Sequence, residues 1–162
     1  MQELFDWLLG AGREVALFII SMVPLIELRG AVPLGLALGM SWGQVLPICY
    51  AGNLLPIPFL LLFAKRLLKW LETLPVFSKM SVWYQNKLLG KSDRITKYEF
   101  LGLFLFVAVP LPGTGAWSGA VLATLLDIPA KRAFMAISLG VITAGIIMAL
   151  LSSGVLSVVG IS

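Results

Sequence analysis

Two opposite charges stand alone in a long apolar stretch of this chain. Residues 23–35 read VPLIELRGAVPLG, and Glu27 and Arg29 are the only charged residues between Glu14 and Lys65. A charged side chain at the centre of a membrane helix costs about 2.5–3.5 kcal/mol on insertion scales, so such residues need a partner or a wet cavity. Glu27 would carry a proton or pair with a cationic group. Arg29 would hold an anionic substrate group by forked hydrogen bonds, or neutralise Glu27. Burial and a neighbouring arginine pull a carboxyl's proton affinity in opposite directions, so the sequence leaves the titration of Glu27 open. The structural alternatives are an ion pair that pins the chain, or two residues at a water-exposed mouth. Side chains at i and i+2 diverge on a helix and converge on extended backbone. Pro24 and Gly30 predict a non-helical stretch here.

Few other polar groups lie in the apolar parts. Asn53, beside Gly52, would hydrogen-bond a turn or a substrate, or tie two helices together. In PLPGTGAWSG, Thr114, Trp117 and Ser118 supply polar atoms, while Gly113 and Gly115 allow close backbone approach; plain turn-making and helix packing is the alternative. The candidate substrate and proton site is thus Glu27, Arg29, Asn53, Thr114 and Trp117. Pro24, Gly30, Pro33, Pro110, Pro112, Gly113 and Gly115 would shape the backbone around it.

Much chemistry is excluded. There is no histidine, so a His-based metal site, proton relay or catalytic triad cannot be built. The single cysteine, Cys49, cannot form an intrachain disulfide or a zinc cluster. No phosphate loop, dinucleotide fingerprint or nucleophile paired with a base is present. The expectation is a protein that is not an enzyme and needs no cofactor or metal.

The elements that must position these residues are read from composition and charge. The chain has 162 residues, 59% hydrophobic and 12% charged, against about 25% charged in soluble domains. Mean hydropathy is +0.98. An all-α integral membrane protein is predicted. Acids precede the first apolar stretch and no small-residue cleavage site follows, so residues 1–22 do not read as a secretory signal. Residues 4–23 form a helical stretch weakened by Arg13 and Glu14. Residues 24–39 are broken by Pro24, Gly30, Pro33, Gly35 and Gly39. Residues 42–64 are long enough to span, with Pro47, Pro56 and Pro58 inside, and 133–159 is a last span.

Residues 65–99 hold eight of the twelve basic residues and read as an amphipathic, cytoplasmic segment. Lys65, Arg66 and Lys69 would meet anionic lipid headgroups; spending the basic residues there argues against nucleic acid as a partner. Lys131 and Arg132 are the other basic loop residues, and the same rule puts them inside. The apolar segment 100–126 would then enter and return, turning at Pro-Leu-Pro-Gly-Thr-Gly; a kinked full span, with Lys131 and Arg132 outside, is the competing reading.

Val23-Pro24-Leu25 and Val109-Pro110-Leu111 open two similar stretches, each rich in breakers and each followed by a spanning helix. With the charge pattern, this predicts an inverted repeat of re-entrant hairpin plus transmembrane helix. Repeat one covers about 15–66, the basic linker 65–99 and repeat two 100–159, in one membrane domain, 1–162. Trp7, Trp42, Trp70 and Trp83 fit interfacial anchors. Gly140, Ala144, Gly145 and Ala149 suit close helix packing or a homodimer face.

Taken together, PLIELRGAVPLG, GNLLPIPFLL and AVPLPGTGAWSGA resemble the small multi-drug export protein family, grouped with the wider DedA, or SNARE-associated (VTT domain), superfamily. The resemblance covers about 15–155. It implies a prokaryotic inner-membrane protein with two opposed re-entrant hairpins and a transport-like role. In the wider superfamily that role is translocation of lipids or lipid-linked phosphates, often with proton coupling. The acidic residue of the superfamily's first hairpin matches Glu27. The superfamily also carries arginines around the Pro-Gly of its second hairpin, and this sequence has none there; Arg29 would substitute. Export of drugs or small molecules, and a structural role without transport, are the other readings.

Overall fold

The computed structural model describes residues 12–71 and 94–159. Those residues are helical, with no strand among them. Seven helices follow one another: α1 Arg13–Met22, α2 Glu27–Ala37, α3 Trp42–Leu54, α4 Ile57–Leu71, α5 Arg94–Ala108, α6 Ala116–Leu125 and α7 Ala130–Val159. Trp7, Trp83 and linker residues 72–93 lie outside the described residues, as do the side chains of Lys65, Lys69 and Trp70.

The chain makes the same local sequence of elements twice. A helix ends at Val-Pro-Leu, a second short helix follows, a left-handed residue stops it, and a long apolar helix begins. In the first unit α1 stops at Val23-Pro24 and α2 starts at Glu27. Proline lacks the amide hydrogen a continuing helix needs and restricts the residue before it. In the second unit the break spans 109–115, with Pro110, Pro112 and Gly113.

The short helices end alike. After α2, Gly39 adopts φ +78°, its N–H donates to the Leu36 carbonyl at 3.0 Å, and the Met40 N–H donates to Gly35 at 3.1 Å. After α6, Asp127 adopts φ +52°, its N–H donates to Thr124 at 3.1 Å, and the Ile128 N–H donates to Ala123 at 2.9 Å. Both are Schellman ends, which satisfy carbonyls the helix leaves open. The Ser41 N–H then donates to Gln44 Oε1 at 3.1 Å at the start of α3, one half of a capping box.

Three expectations about breakers are corrected. Pro33 lies inside α2 and Pro47 inside α3, and both helices run through them. Gly30 also sits within α2, close against Ile26. The turn of the first unit is therefore at 23–26, ahead of Glu27, and Glu27 and Arg29 are helical. The physical reason is local. An interior proline removes one hydrogen bond, which a helix packed on both sides can lose without unravelling. The stretch 42–64 does break, at Leu55–Pro56, into α3 and α4. Pro58 falls in the first turn of α4, where its missing N–H costs nothing.

Helix α7 is the centre of the packing: α2, α3, α4, α5 and α6 all lie against it. Small residues permit the approach. A methyl group on Gly140 would strike Val107 of α5, and one on Gly145 would strike the Tyr50 ring of α3. Ala144 and Ala149 are buried as well. The small-residue stripe is thus filled from within the chain, so a homodimer would use another face. Trp42 Nε1 donates to Ser153 Oγ at 3.0 Å and Tyr50 Oη to the Ile142 carbonyl at 2.9 Å. These two bonds fix α3 and α7 as antiparallel. Leu139, Ile142, Ile146 and Leu150 of α7 are exposed and apolar.

Candidate functional site

The site forms where the first residues of α2 meet the break between α5 and α6. Glu27 is the first residue of α2 and has φ +50°. This left-handed conformation is unusual for a residue with a side chain and costs on the order of 1–2 kcal/mol. It explains how Glu27 and Arg29 meet although both are helical. The reversed backbone at Glu27 brings its carboxylate to Arg29, and Nη1 lies 3.0 Å from Oε2. Glu27 is 5% exposed, so this is a desolvated pair.

Both residues also reach across to the second unit. Arg29 Nη2 donates to the Val107 carbonyl at 3.0 Å, the Val109 carbonyl at 3.2 Å and Thr114 Oγ1 at 3.0 Å. Nη1 donates to the Thr114 carbonyl. Val107 and Val109 stand at the C-terminal end of α5, where carbonyls lose their helical donors. On the other side of the break, Glu27 Oε1 accepts the Trp117 N–H at 3.1 Å. Trp117 is the second residue of α6, whose first amides have no helical acceptor.

The arrangement is electrostatically matched. A helix carries roughly −0.5 charge at its C-terminus and +0.5 at its N-terminus. The cation binds the end of α5 and the anion binds the start of α6. Each orphaned backbone group that a break exposes inside a bilayer costs several kcal/mol if unmet. One ion pair from α2 meets several of them.

The surrounding residues hold this clasp in place. Thr114 Oγ1 lies 2.8 Å from the Val109 carbonyl and 2.9 Å from Leu111, and gives its one proton to one of them. Gly113 turns the chain at φ +82°. A methyl group on Gly115 would collide with the Glu27 carboxylate and the Arg29 guanidinium, so only glycine fits. Trp117 Nε1 donates to the Met22 carbonyl at 3.2 Å, and Ser118 Oγ to Gly115 at 3.4 Å. Pro24, Pro110 and Pro112 lie in the two breaks.

Four of the five candidate residues, Glu27, Arg29, Thr114 and Trp117, therefore meet in one cluster. Asn53 does not join it by any hydrogen bond. It is fully buried in α3, and neither amide atom has a partner. Arg66 is exposed on α4 and borders an apolar groove of about 650 Å³, with Pro56, Phe59, Phe63 and Trp117 among its walls. Among the described residues no cluster of three His, Cys, Asp or Glu could hold a metal.

Sequence reasoning missed several contributors. Arg13 Nη1 donates to the Leu38 carbonyl at 3.0 Å, which ties the start of α1 to the end of α2. The Val107 and Val109 carbonyls are backbone acceptors and carry no residue signal. Ser138, on α7, holds a buried hydroxyl without a partner, and nothing in the sequence sets it apart from the other serines of that span.

Comparison with known proteins adds one match. A family model described as "Putative small multi-drug export protein" matches residues 27–147, a range that starts at Glu27 and takes in the whole cluster. No curated protein and no solved structure gave a match. Two helical stretches, Trp42–Phe63 and Ala130–Val155, are long and apolar enough to cross a bilayer. With the family match, they identify a membrane protein.

Proposed function

The chain belongs to the small multi-drug export protein family, and we propose that it is a transporter that moves an amphiphilic substrate across the cytoplasmic membrane, with Glu27 as proton carrier. The observation that carries this reading is the clasp: a charged pair on one unit holds both broken ends of the other. Such a contact joins two units that must move relative to one another, and it can be undone by a proton. A protonated Glu27 has no charge to offer Arg29 and is a poorer acceptor for the Trp117 N–H.

The architecture supports two opposed re-entrant hairpins. Helices α1, α2 and α6 have 10, 11 and 10 residues. At 1.5 Å per residue each reaches about half of a ~30 Å hydrocarbon core. The Arg13–Leu38 bond sets the outer ends of α1 and α2 side by side. The antiparallel run of α3 and α7 supports hairpins that enter from opposite faces. The basic residues near 65–69 and at Lys131 and Arg132 favour a cytoplasmic mouth for the second hairpin. Inverted repeats with broken helices meeting at mid-membrane are a common transporter plan.

Trp117 links the clasp to a route for substrate. Its backbone N–H binds Glu27, its indole binds Met22, and its side of α6 walls the groove that Arg66 borders. An amphiphile in that groove would press on the residue that holds Glu27. The apolar walls and Arg66 favour a lipid or lipid-like molecule with an acidic head; a hydrophobic drug would use the same walls.

A second reading has its own observation. Both Glu27 oxygens and both Arg29 terminal nitrogens are engaged within the protein, as a purely structural lock would require. A double-mutant cycle with Glu27→Gln and Arg29→Gln, read both as thermal stability and as flux in proteoliposomes, separates the two. Transport predicts that Glu27→Gln abolishes gradient-dependent flux at a protein level matched to wild type. Strong coupling in stability with unchanged flux would leave only the lock.

A further inference from the structure

The polar or charged residues buried among the described ones are Ser21, Glu27, Asn53, Thr124 and Ser152. Ser21, Thr124 and Ser152 give their hydroxyl protons to carbonyls of their own helices, and Glu27 is held in the clasp. Asn53 is the exception. It is fully buried, and neither its amide oxygen nor its amide nitrogen has a partner. Buried polar atoms are nearly always bonded, because one taken from water and left unmet is costly. Asn53 bears that cost at both ends of one amide.

The helices set Asn53 at the level of Glu27. Helices α2 and α3 are joined by residues 38–41 and run antiparallel. Gly35 of α2 packs on Val45 of α3. Glu27 lies eight residues before Gly35, and Asn53 eight residues after Val45. Each is therefore about 12 Å along from that contact, at 1.5 Å per residue. Direction agrees with level. At about 100° per residue, Asn53 falls on α3 between Val45, which faces α2, and Tyr50, whose hydroxyl bonds α7. It points toward the seam between α2 and α7, which pack against each other.

The two idle ends of Asn53 are a donor and an acceptor. An ionised carboxylate offers acceptors only, whereas a carboxylic acid offers an O–H and a C=O on one plane. Acid and amide meet through two bonds, O–H to Oδ1 and Nδ2–H to the acid's C=O. That match exists only after Glu27 has taken a proton from water. We infer that Asn53 is the second seat of Glu27: once protonated and released by Arg29 and Trp117, the carboxyl turns to the Asn53 amide, which holds it while the clasp is open. Arg29 is the charge that faces Glu27 in the closed clasp, and α6 offers it backbone N–H. Of the helices packed on α2, α1 has Arg13 and Glu14 at its far end, where Arg13 bonds Leu38. Helix α3 has Cys49 and Tyr50 about one turn before Asn53, and α7 has Lys131 and Arg132 in its first turn. Helix α5 has Arg94, Lys97, Tyr98 and Glu99 in its first two turns, far from Val107. The inference rests on the reading of Glu27 as proton carrier and names the residue that receives it.

The test uses the full chain. Infrared difference spectra between neutral and acidic pH follow the carboxyl C=O stretch of the protein purified in a non-ionic detergent. Wild type should show a band on acidification that Glu27→Gln lacks. In Asn53→Leu that band should move to higher frequency, as a carbonyl freed of an N–H donor does. Asn53→Ala removes the same atoms without added bulk and keeps the test readable if Asn53→Leu does not fold. In proteoliposomes, gradient-dependent flux should fall about tenfold or more in either variant, the loss of one to two net hydrogen bonds. Its pH profile should also be displaced from that of wild type, which loss of a packing contact would not do. An unshifted band in both variants, no Glu27 band in wild type, or wild-type flux in both variants overturns the inference. A shifted band with no gradient-dependent flux in wild type leaves it standing and removes transport; flux in wild type with an unshifted band does the reverse.

Discussion

Arg29 Nη2 donates to the carbonyl of Val107 at 3.0 Å, across 78 residues of sequence. That bond joins the start of α2 to the C-terminal end of α5. It turns a charge that is costly in a membrane into a cap for backbone that would otherwise be costlier.

Removing the cation should be severe. Arg29→Ala would leave Glu27 buried without its counter-charge and take the guanidinium from the Val107 and Thr114 carbonyls. Losing one partner of a buried pair costs about 3–5 kcal/mol. Arg29→Lys should recover little of it, because an ammonium cannot place a planar fork on two carbonyls and a hydroxyl. Thermal unfolding in detergent checks both. A lysine variant as stable as wild type would show that charge alone suffices.

Gly115 offers a steric test of the same cluster. Its added methyl would meet Glu27 and Arg29, whereas one on Gly113 meets nothing within 4 Å. Gly113 has φ +82°, so Gly113→Ala should lose about 1 kcal/mol from backbone strain. Gly115→Ala should lose clearly more, as a small-to-large change in a filled site. Equal unfolding midpoints for the two variants would contradict the close packing of the clasp.

Trp117→Phe keeps an aromatic wall on the groove and the backbone N–H to Glu27, but loses the indole bond to Met22. A single net hydrogen bond is worth about 0.5–1.5 kcal/mol. Stability should fall by that much, and the variant should retain gradient-driven flux. Trp117→Ala should lose flux more than stability predicts, because the wall between groove and clasp is gone.

Cys49 is fully buried in α3. A maleimide should leave it unlabelled in the folded protein and label it after denaturation. Single cysteines at Gly39 and Lys131 then report sidedness. In intact cells a membrane-impermeant reagent should label Gly39→Cys and spare Lys131→Cys. Labelling of both from outside would contradict the opposed hairpins.

Much of the fold could be read from composition, because a bilayer leaves so few ways to arrange a chain this apolar. The helical class, the two Val-Pro-Leu breaks and the charged pair were all visible in the sequence. The breakers were harder to weigh. Pro24 and Pro56 end helices, while Pro33 and Pro47 do not, since packing on α7 and α1 outweighs one lost hydrogen bond. The convergence of Glu27 and Arg29 was expected from extended backbone. It arises from one left-handed residue at a helix start, which no sequence pattern here marks. The partners of the pair are backbone groups 78 to 90 residues away, and a carbonyl is the same in every residue.

The central claim is that Glu27 carries the proton that drives transport. It is tested by efflux of a fluorescent amphiphile from proteoliposomes under an imposed pH gradient, with wild type and Glu27→Gln reconstituted at equal density. Wild type should show gradient-dependent efflux, and Glu27→Gln only gradient-independent leakage. Equal gradient-dependent rates in the two would contradict it.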